Sequence, residues 1–261
     1  MNCCICGPVK NCGPYLSKVL ENMAKIGSFF DEYQIIIYYD KSSDNSLQKL
    51  KEYQTKNSKM SFYVCNQKKS PFRTHNIATA RNFCLNYIRE NREKYPYFIM
   101  MDMDDVNSKE VNTDILKKHL YRNDWDGLSF NTSPHYYDIW ALSIKPYYIS
   151  FFAFEKTNEM YKHMLKYITD LLNNLQPDQL LQCASAFNGF AIYKTEKFIE
   201  CNYDGKLRYD LCPMKRIYKN NNILNSKFLF KNDDCEHRAF HFEAINKNNA
   251  RIMISPEFLF K

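Results

Sequence analysis

The chain has 261 residues and a net charge of +7, from 36 Lys and Arg against 29 Asp and Glu, with 45% hydrophobic and 25% charged residues. These fractions belong to a globular protein and exclude a disordered or collagen-like chain. Six Gly and nine Pro argue against modules joined by flexible linkers, and the dispersed basic residues form no nucleic-acid-binding stripe.

One large domain, or two closely packed halves, suits this length, and such a chain folds without disulfide or metal staples. The ten Cys are scattered. The start, Met1-Asn2-Cys3-Cys4-Ile5-Cys6, lacks a basic region ahead of a long apolar core. No signal peptide is therefore expected, and reduced thiols in a cytoplasmic setting are. Cys3, Cys4, Cys6 and Cys12 suggest a zinc cluster, but 3–6 reads as an apolar strand and no paired CxxC or CxxH follows. No apolar run approaches the roughly 20 residues of a membrane helix, so no transmembrane segment is expected and any membrane contact would be peripheral.

In chain order, 3–6 is a short strand and 14–26 a helix, with Leu16, Val19, Leu20 and Met23 on one face. Residues 34–39, Gln-Ile-Ile-Ile-Tyr-Tyr, form a second strand. It ends in Asp40-Lys41-Ser42-Ser43-Asp44-Asn45-Ser46, where Ser43 or Asp44 is placed to cap a helix through Tyr53. A strand at 60–65, a helix at 75–92 and a continuous apolar strand at 97–101 complete the first half. Beyond residue 106 the pattern loosens. Strands are expected at 128–131, 140–144, 191–193 and 251–254, and helices at 155–175 and 235–248.

Alternating helices and fully apolar strands predict a mainly parallel sheet covered on both faces. Ligands of such sheets bind beyond the carboxyl ends of the strands. The residues there are Gly7-Pro8-Val9-Lys10-Asn11 after the first strand, Asp40 after the second and Asp102-Met103-Asp104-Asp105 after the fourth. In the last of these, alternate carboxylates point into one small volume and raise each other's pKa unless a cation neutralises them. A hard divalent ion, Mg²⁺ or Mn²⁺, with a diphosphate completing its shell is the natural neutraliser, and an acidic loop facing solvent is the plain alternative.

Asp40-Lys41-Ser42-Ser43-Asp44-Asn45-Ser46, Ala80-Arg81-Asn82, Asp102-Met103-Asp104-Asp105 and a later Asp-Cys-Glu-His follow a familiar order. In it the chain resembles the GT-A-fold glycosyltransferases that use nucleotide-sugar donors. The likeness runs in register over 1–106 and more loosely over 187–257. It implies a mixed, mainly parallel sheet flanked by helices, in a single domain with a nucleotide-binding half (1–106) and an acceptor-binding half (107–261). It also implies transfer of a sugar, with UDP-sugar ahead of GDP-mannose as donor, to a glycan, lipid-linked or protein acceptor. By the same likeness Lys10, Asp40, Arg81, Asp102 and Asp105 bind the donor, and Asp102, Asp104 and His237 hold Mn²⁺ or Mg²⁺. Asn188 and Gly189 border the acceptor. Asp234, with Glu236 as rival, supplies the base of an inverting enzyme, while a retaining one needs none there. Tyr39 and Lys41 depart from the family pattern and leave the base of the nucleotide open.

Two other classes compete. Asp102-Met103-Asp104-Asp105-Val106 approximates the motif of haloacid-dehalogenase-like phosphatases, with Asp102 as nucleophile, although that motif normally follows the first strand. A basic, Tyr-rich carbohydrate- or nucleic-acid-binding module is the non-enzymatic reading, and it gives the acids at the strand ends no purpose.

Overall fold

The computed structural model describes residues 1–219, 225–229 and 231–261, together with the backbone of the helix that spans 220–224. Strand β1 (Asn2–Val9) pairs in parallel with β2 (Glu32–Tyr39) on one side and β4 (Tyr97–Met101) on the other. Strand β3 (Met60–Val64) adds to β2 in parallel. Strand β7 (Phe190–Lys194) then runs antiparallel between β4 and β5 (Gly127–Asn131). β8 (Ile252–Phe258) lies parallel to β5, with the short β6 (Leu181–Cys183) antiparallel at the edge. The eight strands form one sheet in the order β3-β2-β1-β4-β7-β5-β8-β6, so the expected mixed, mainly parallel sheet is present.

Period-two burial divides the core. Cys3, Ile5, Ile35, Ile37, Ile99 and Met101 face one side of the sheet with helices α1 (Gly13–Gly27) and α2 (Ser46–Lys56). Cys4, Cys6, Ile36, Phe98 and Met100 face the other, against α3 (Arg73–Glu90). The cysteines at 3, 4 and 6 are thus strand core, and all ten are free. The 113–175 stretch holds α4 (Thr113–Leu120) and α5 (Thr157–Asn173). After β7 come the short α6 (Thr195–Phe198), α7 (Met214–Leu224) and α8 (Glu236–Asn248). No described helix is long and apolar enough to cross a membrane.

One expected strand is not there. Residues 140–144 form a turn with single bridges, Ser143 to Ser185 and Ile144 to Tyr147. The side chains of Ala141, Leu142 and Ile144 are buried, as the sequence demands, but the Trp140 and Leu142 carbonyls bond to a side chain, while that of Ser143 accepts the N–H groups of Ala184 at 2.7 Å and Ser185 at 3.2 Å. Buried Arg238 donates through Nη1 to the Leu142 carbonyl at 3.0 Å and through Nη2 to that of Trp140. A buried backbone needs its hydrogen bonds satisfied, and an arginine fork does this without a ladder.

Because β1, β2 and β4 are parallel, Val9, Tyr39 and Met101 end on one edge of the sheet. β7 is antiparallel to β4 and starts there, its Phe190 opposite Met101. The turn after β5 and the start of α8 reach the same edge, as the shared cleft below requires.

Candidate active site

The segment Asp40–Ser46 is a bracket before it is a binding site. Asp44 accepts the Gly13 N–H through Oδ2 at 2.8 Å and the Ser46 N–H through Oδ1 at 3.0 Å, serving the first turns of α1 and α2 together. Ser46 Oγ accepts from Cys12 N at 3.0 Å, and Ser42 Oγ from Asn11 N at 2.9 Å. The short polar side chains that suit caps and Asx turns thus fix the turn after β1 against the turn after β2.

These turns open a cleft of about 870 Å³, within the roughly 300–1,000 Å³ of small-molecule sites. At the β2 end Asp40 is clamped by Lys10 (3.2 Å) and Lys69 (2.8 Å). Burial pushes its carboxyl up, and the two ammonium groups more than offset this, leaving it below the ordinary value. Lys68 and Arg73 line the same end. Lys10 is among the expected donor-binding residues, whereas Lys68, Lys69 and Arg73 sit in a segment without a motif.

At the centre, Arg81 is 3% exposed. It donates through Nη2 to Asp102 Oδ1 at 2.7 Å and through Nε to Glu236 Oε1 at 2.8 Å. Its guanidinium lies 4.5 Å above the Phe187 ring. Arg81 therefore braces two carboxylates instead of reaching freely for a nucleotide, and Nη1 alone has no protein partner. Asp104 lines the cleft with a buried, unpartnered Oδ1. Burial, then the charges of Asp102 and Asp105, push its carboxyl up to about 7. Such a group accepts a cation, as its neutralisation removes the cost. Among the described residues, however, no group of three His, Cys, Asp or Glu could hold an ion by itself. The expected trio of Asp102, Asp104 and His237 is not assembled: Asp102 is engaged by Arg81, and the His237 ring stacks on Phe187 at 3.7 Å. Any ion here would rely on Asp104 and on oxygens from a ligand or water.

The other expected site residues are placed as follows. Asp105 is exposed and outside the cleft wall, and its carbonyl accepts the Ser108 hydroxyl at 2.8 Å, so it supports the loop. Asp234 is also outside the wall. It is buried, and its Oδ2 accepts from Arg238 Nε at 2.6 Å, so it anchors α8. Glu236 does line the cleft, already paired with Arg81. Asn188 and Gly189 lie behind the wall. Asn188 Oδ1 accepts the N–H groups of Tyr137 and Asp138, both at 3.1 Å, while its amide donates to the Phe130 carbonyl at 2.9 Å. Gly189 has φ +83°, and a Cβ there would meet the Tyr137 hydroxyl at 2.7 Å. Both residues shape the 136–141 turn.

That turn carries what the sequence did not disclose. Tyr137, Asp138 and Trp140 form the cleft wall at the β5 end, beside Cys235 and His237. Asp138 accepts the Ala141 N–H through Oδ1 at 3.1 Å and the Asn188 N–H through Oδ2 at 3.4 Å, with no cation paired to it. Burial, with the charges of Asp102 and Glu236, pushes its carboxyl up to about 6. His237, 1% exposed, has no hydrogen-bond partner on either nitrogen, although Nε2 lies 3.6 Å from Glu236 Oε1, and burial first, then the Arg81 charge, hold it well below its ordinary value, as neutral imidazole.

The sheet order and the cleft define a GT-A-like α/β fold. The profile of glycosyl transferase family 2 matches residues 4–190, more than half of the chain, and the chain belongs to that family. The solved structure of TarS 1-349 from S. aureus matches all of the chain, at 14% identity and a TM-score of 0.50, the chain covering 59% of it. The mannosyltransferase PcManGT from Pyrobaculum calidifontis, solved with GDP-Man and Mn²⁺, is matched over 97% of the chain and 56% of its own, at 11% identity and a TM-score of 0.45. Glucosyl-3-phosphoglycerate synthase from Mycobacterium tuberculosis is matched over 76% and 58%, at 11% identity and a TM-score of 0.42. The chain thus spans less than two thirds of each, and no curated protein matches it. The family match displaces the phosphatase and binding-module readings. The structure agrees, since Asp102 follows the fourth strand and is engaged by Arg81.

Proposed function

We propose that the chain transfers a sugar from a nucleoside-diphosphate donor to an acceptor hydroxyl, with UDP-sugar as the first donor and GDP-mannose as the alternative. The observation that carries the reading is the end of β4 in a family 2 chain. There Asp104 presents a buried, unpartnered carboxylate oxygen two residues after Asp102, in a cleft whose β2 end carries Lys10, Lys68, Lys69 and Arg73. A diphosphate suits cations on one side and an ion-binding acid on the other. Asp104, with oxygens from the ligand or water, would hold Mn²⁺ or Mg²⁺, which when bound offsets charge on the departing diphosphate. Arg81 orients Asp102, and its free Nη1 is left for a phosphate oxygen.

Asp138 takes the proton of the attacking hydroxyl. Asp234 is spent on Arg238 and Glu236 on Arg81, whereas Asp138 faces the cleft without a cation and ionises near neutral pH. The acceptor oxygen bonds to the anomeric carbon as the carbon–diphosphate bond breaks on the opposite side, which inverts that centre. The free cysteines fit a reducing, cytoplasmic compartment.

The test is a thermal-shift panel of UDP-, GDP-, dTDP- and CMP-sugars, each with Mn²⁺ and with EDTA, because a ligand bound only by the folded state raises its stability. One nucleotide class should raise Tm with Mn²⁺ alone, and Asp104→Asn should lose that shift while remaining folded. No shift with any donor would remove the transferase reading. A shift that survives EDTA or Asp104→Asn would remove the metal site.

A further inference from the structure

The two ends of the cleft differ in charge. Sheet order puts β3, β2 and β1 at one end, and the cations lie there, Lys10 and Lys69 closing on Asp40 with Lys68 and Arg73 alongside. The opposite end, next to β7 and β5, is built from Tyr137, Asp138, Trp140, Cys235, Glu236 and His237. Among these described residues there is no cation: the arginines nearby are committed, Arg81 to Asp102 and Glu236, and Arg238 to Asp234 and the 140–143 backbone. Lys231 lies over Phe152, which packs on the Trp140 ring at 5.5 Å, and neither of these two residues belongs to the cleft wall.

Polar atoms at this end are buried yet unsatisfied. The Trp140 indole N–H has no hydrogen-bond partner, and neither ring nitrogen of His237 has one, the Glu236 carboxylate lying 3.6 Å from Nε2. A buried donor left unmade is costly, so a native site that holds several points to a ligand that completes them. An aromatic face beside an unpaired N–H, a neutral imidazole and a carboxylate complements a ring with an apolar C–H face and a rim of hydroxyls. It does not complement a phosphate or carboxylate, which Asp138, a carboxylate with no cation paired to it, would repel.

We infer that this end of the cleft is the acceptor subsite and that the acceptor is a neutral pyranoside, stacked on Trp140 with a hydroxyl directed at Asp138. The inference rests on the transferase reading for the word acceptor, but binding of the glycoside does not depend on it. Acceptors whose recognised unit is a sugar phosphate or a glycerol phosphate are excluded.

The experiment is saturation-transfer NMR on the full chain, with UDP and Mn²⁺ present and then without them. The probes are the methyl α- and β-glycosides of glucose, galactose, mannose and N-acetylglucosamine, against glucose 6-phosphate and glycerol 3-phosphate. At least one neutral glycoside should receive saturation, and neither phosphate should. Trp140→Ala should abolish the signal. Trp140→Phe, which keeps a ring and is the safer variant for folding, should weaken binding about fivefold through the lost N–H bond. Nucleotide-induced thermal shifts should be the same in both variants. Binding of the phosphates, absence of any glycoside signal, or unchanged binding in Trp140→Ala would each overturn the subsite. A chain that binds glycosides but no nucleotide would keep the subsite and fail the transferase reading, so the two failures are distinguishable.

Discussion

Asp138, half-buried, and Glu236, buried, are two acids of one cleft wall that differ in partner charge. Burial raises each, but Glu236 then gives Oε1 to the Arg81 guanidinium at 2.8 Å, while Asp138 has only backbone N–H groups. An acid at about 6 is ionised at neutral pH and still basic enough to take a proton. Asp138→Asn is therefore expected to lower kcat for transfer by about 10²–10⁴-fold and to leave the donor Kd unchanged. The sign of the pH dependence follows from the carboxylate being the active form. Wild-type kcat should fall as pH drops through about 6, and the variant should lose that limb. Stopped-assay rates from pH 5 to 8 check both points, and a variant that keeps the limb would return the base to Glu236. None of this was legible in the sequence, where Asp138 stands in Tyr136-Tyr137-Asp138-Ile139 with no motif around it. Asp104 was legible, because alternate acids after a continuous apolar strand have few structural uses.

At the level of elements, strands and helices of the first hundred residues were readable, since β1, β2 and β4 are buried on both faces and α1 shows a clean apolar stripe. The second half was less so. The 140–144 run has a strand's composition, and only the arginine fork of Arg238, almost a hundred residues later, shows why its backbone needs no ladder. The packing of Asn188-Gly189 was likewise not legible, as a glycine before a strand does not show which side chain presses on it. Gly189 holds a left-handed φ and lies against the Tyr137 hydroxyl, and its carbonyl accepts from Asp102 N and Asn107 Nδ2. Gly189→Ala should thus cost roughly 1–3 kcal/mol of stability from backbone strain alone and push the 136–141 turn outward. The expected signature is a larger loss in transfer rate than in donor affinity, read by chemical denaturation and by donor titration. Equal losses would mean that the turn and the end of β4 move together.

Across the whole molecule, the two halves of the sheet meet at β4 and β7, and Arg81 spans the same seam with charge. It leaves α3, takes Asp102 at the end of β4 and takes Glu236 at the start of α8. Removing one partner of such a buried network strands the others, at a typical cost of about 3–5 kcal/mol. Arg81→Met, which keeps the stem over Phe187, is expected to fall in that range at pH 8. The deficit should then depend on pH with a definite sign. Burial already raises the Glu236 carboxyl and Arg81 is what lowers it, so without Arg81 the folded state holds a proton that the unfolded chain, near 4.3, gives up. Folding is then favoured by acid, and the gap to wild type should narrow from pH 8 to pH 5. Adding Glu236→Gln to Arg81→Met should recover part of the loss at pH 8, because a neutral amide has no charge to strand. Urea unfolding of the three proteins at both pH values measures this directly. A deficit that is the same at pH 8 and pH 5, and that Glu236→Gln does not reduce, would show that Arg81 stabilises the seam by packing on Phe187 and not by pairing the two carboxylates.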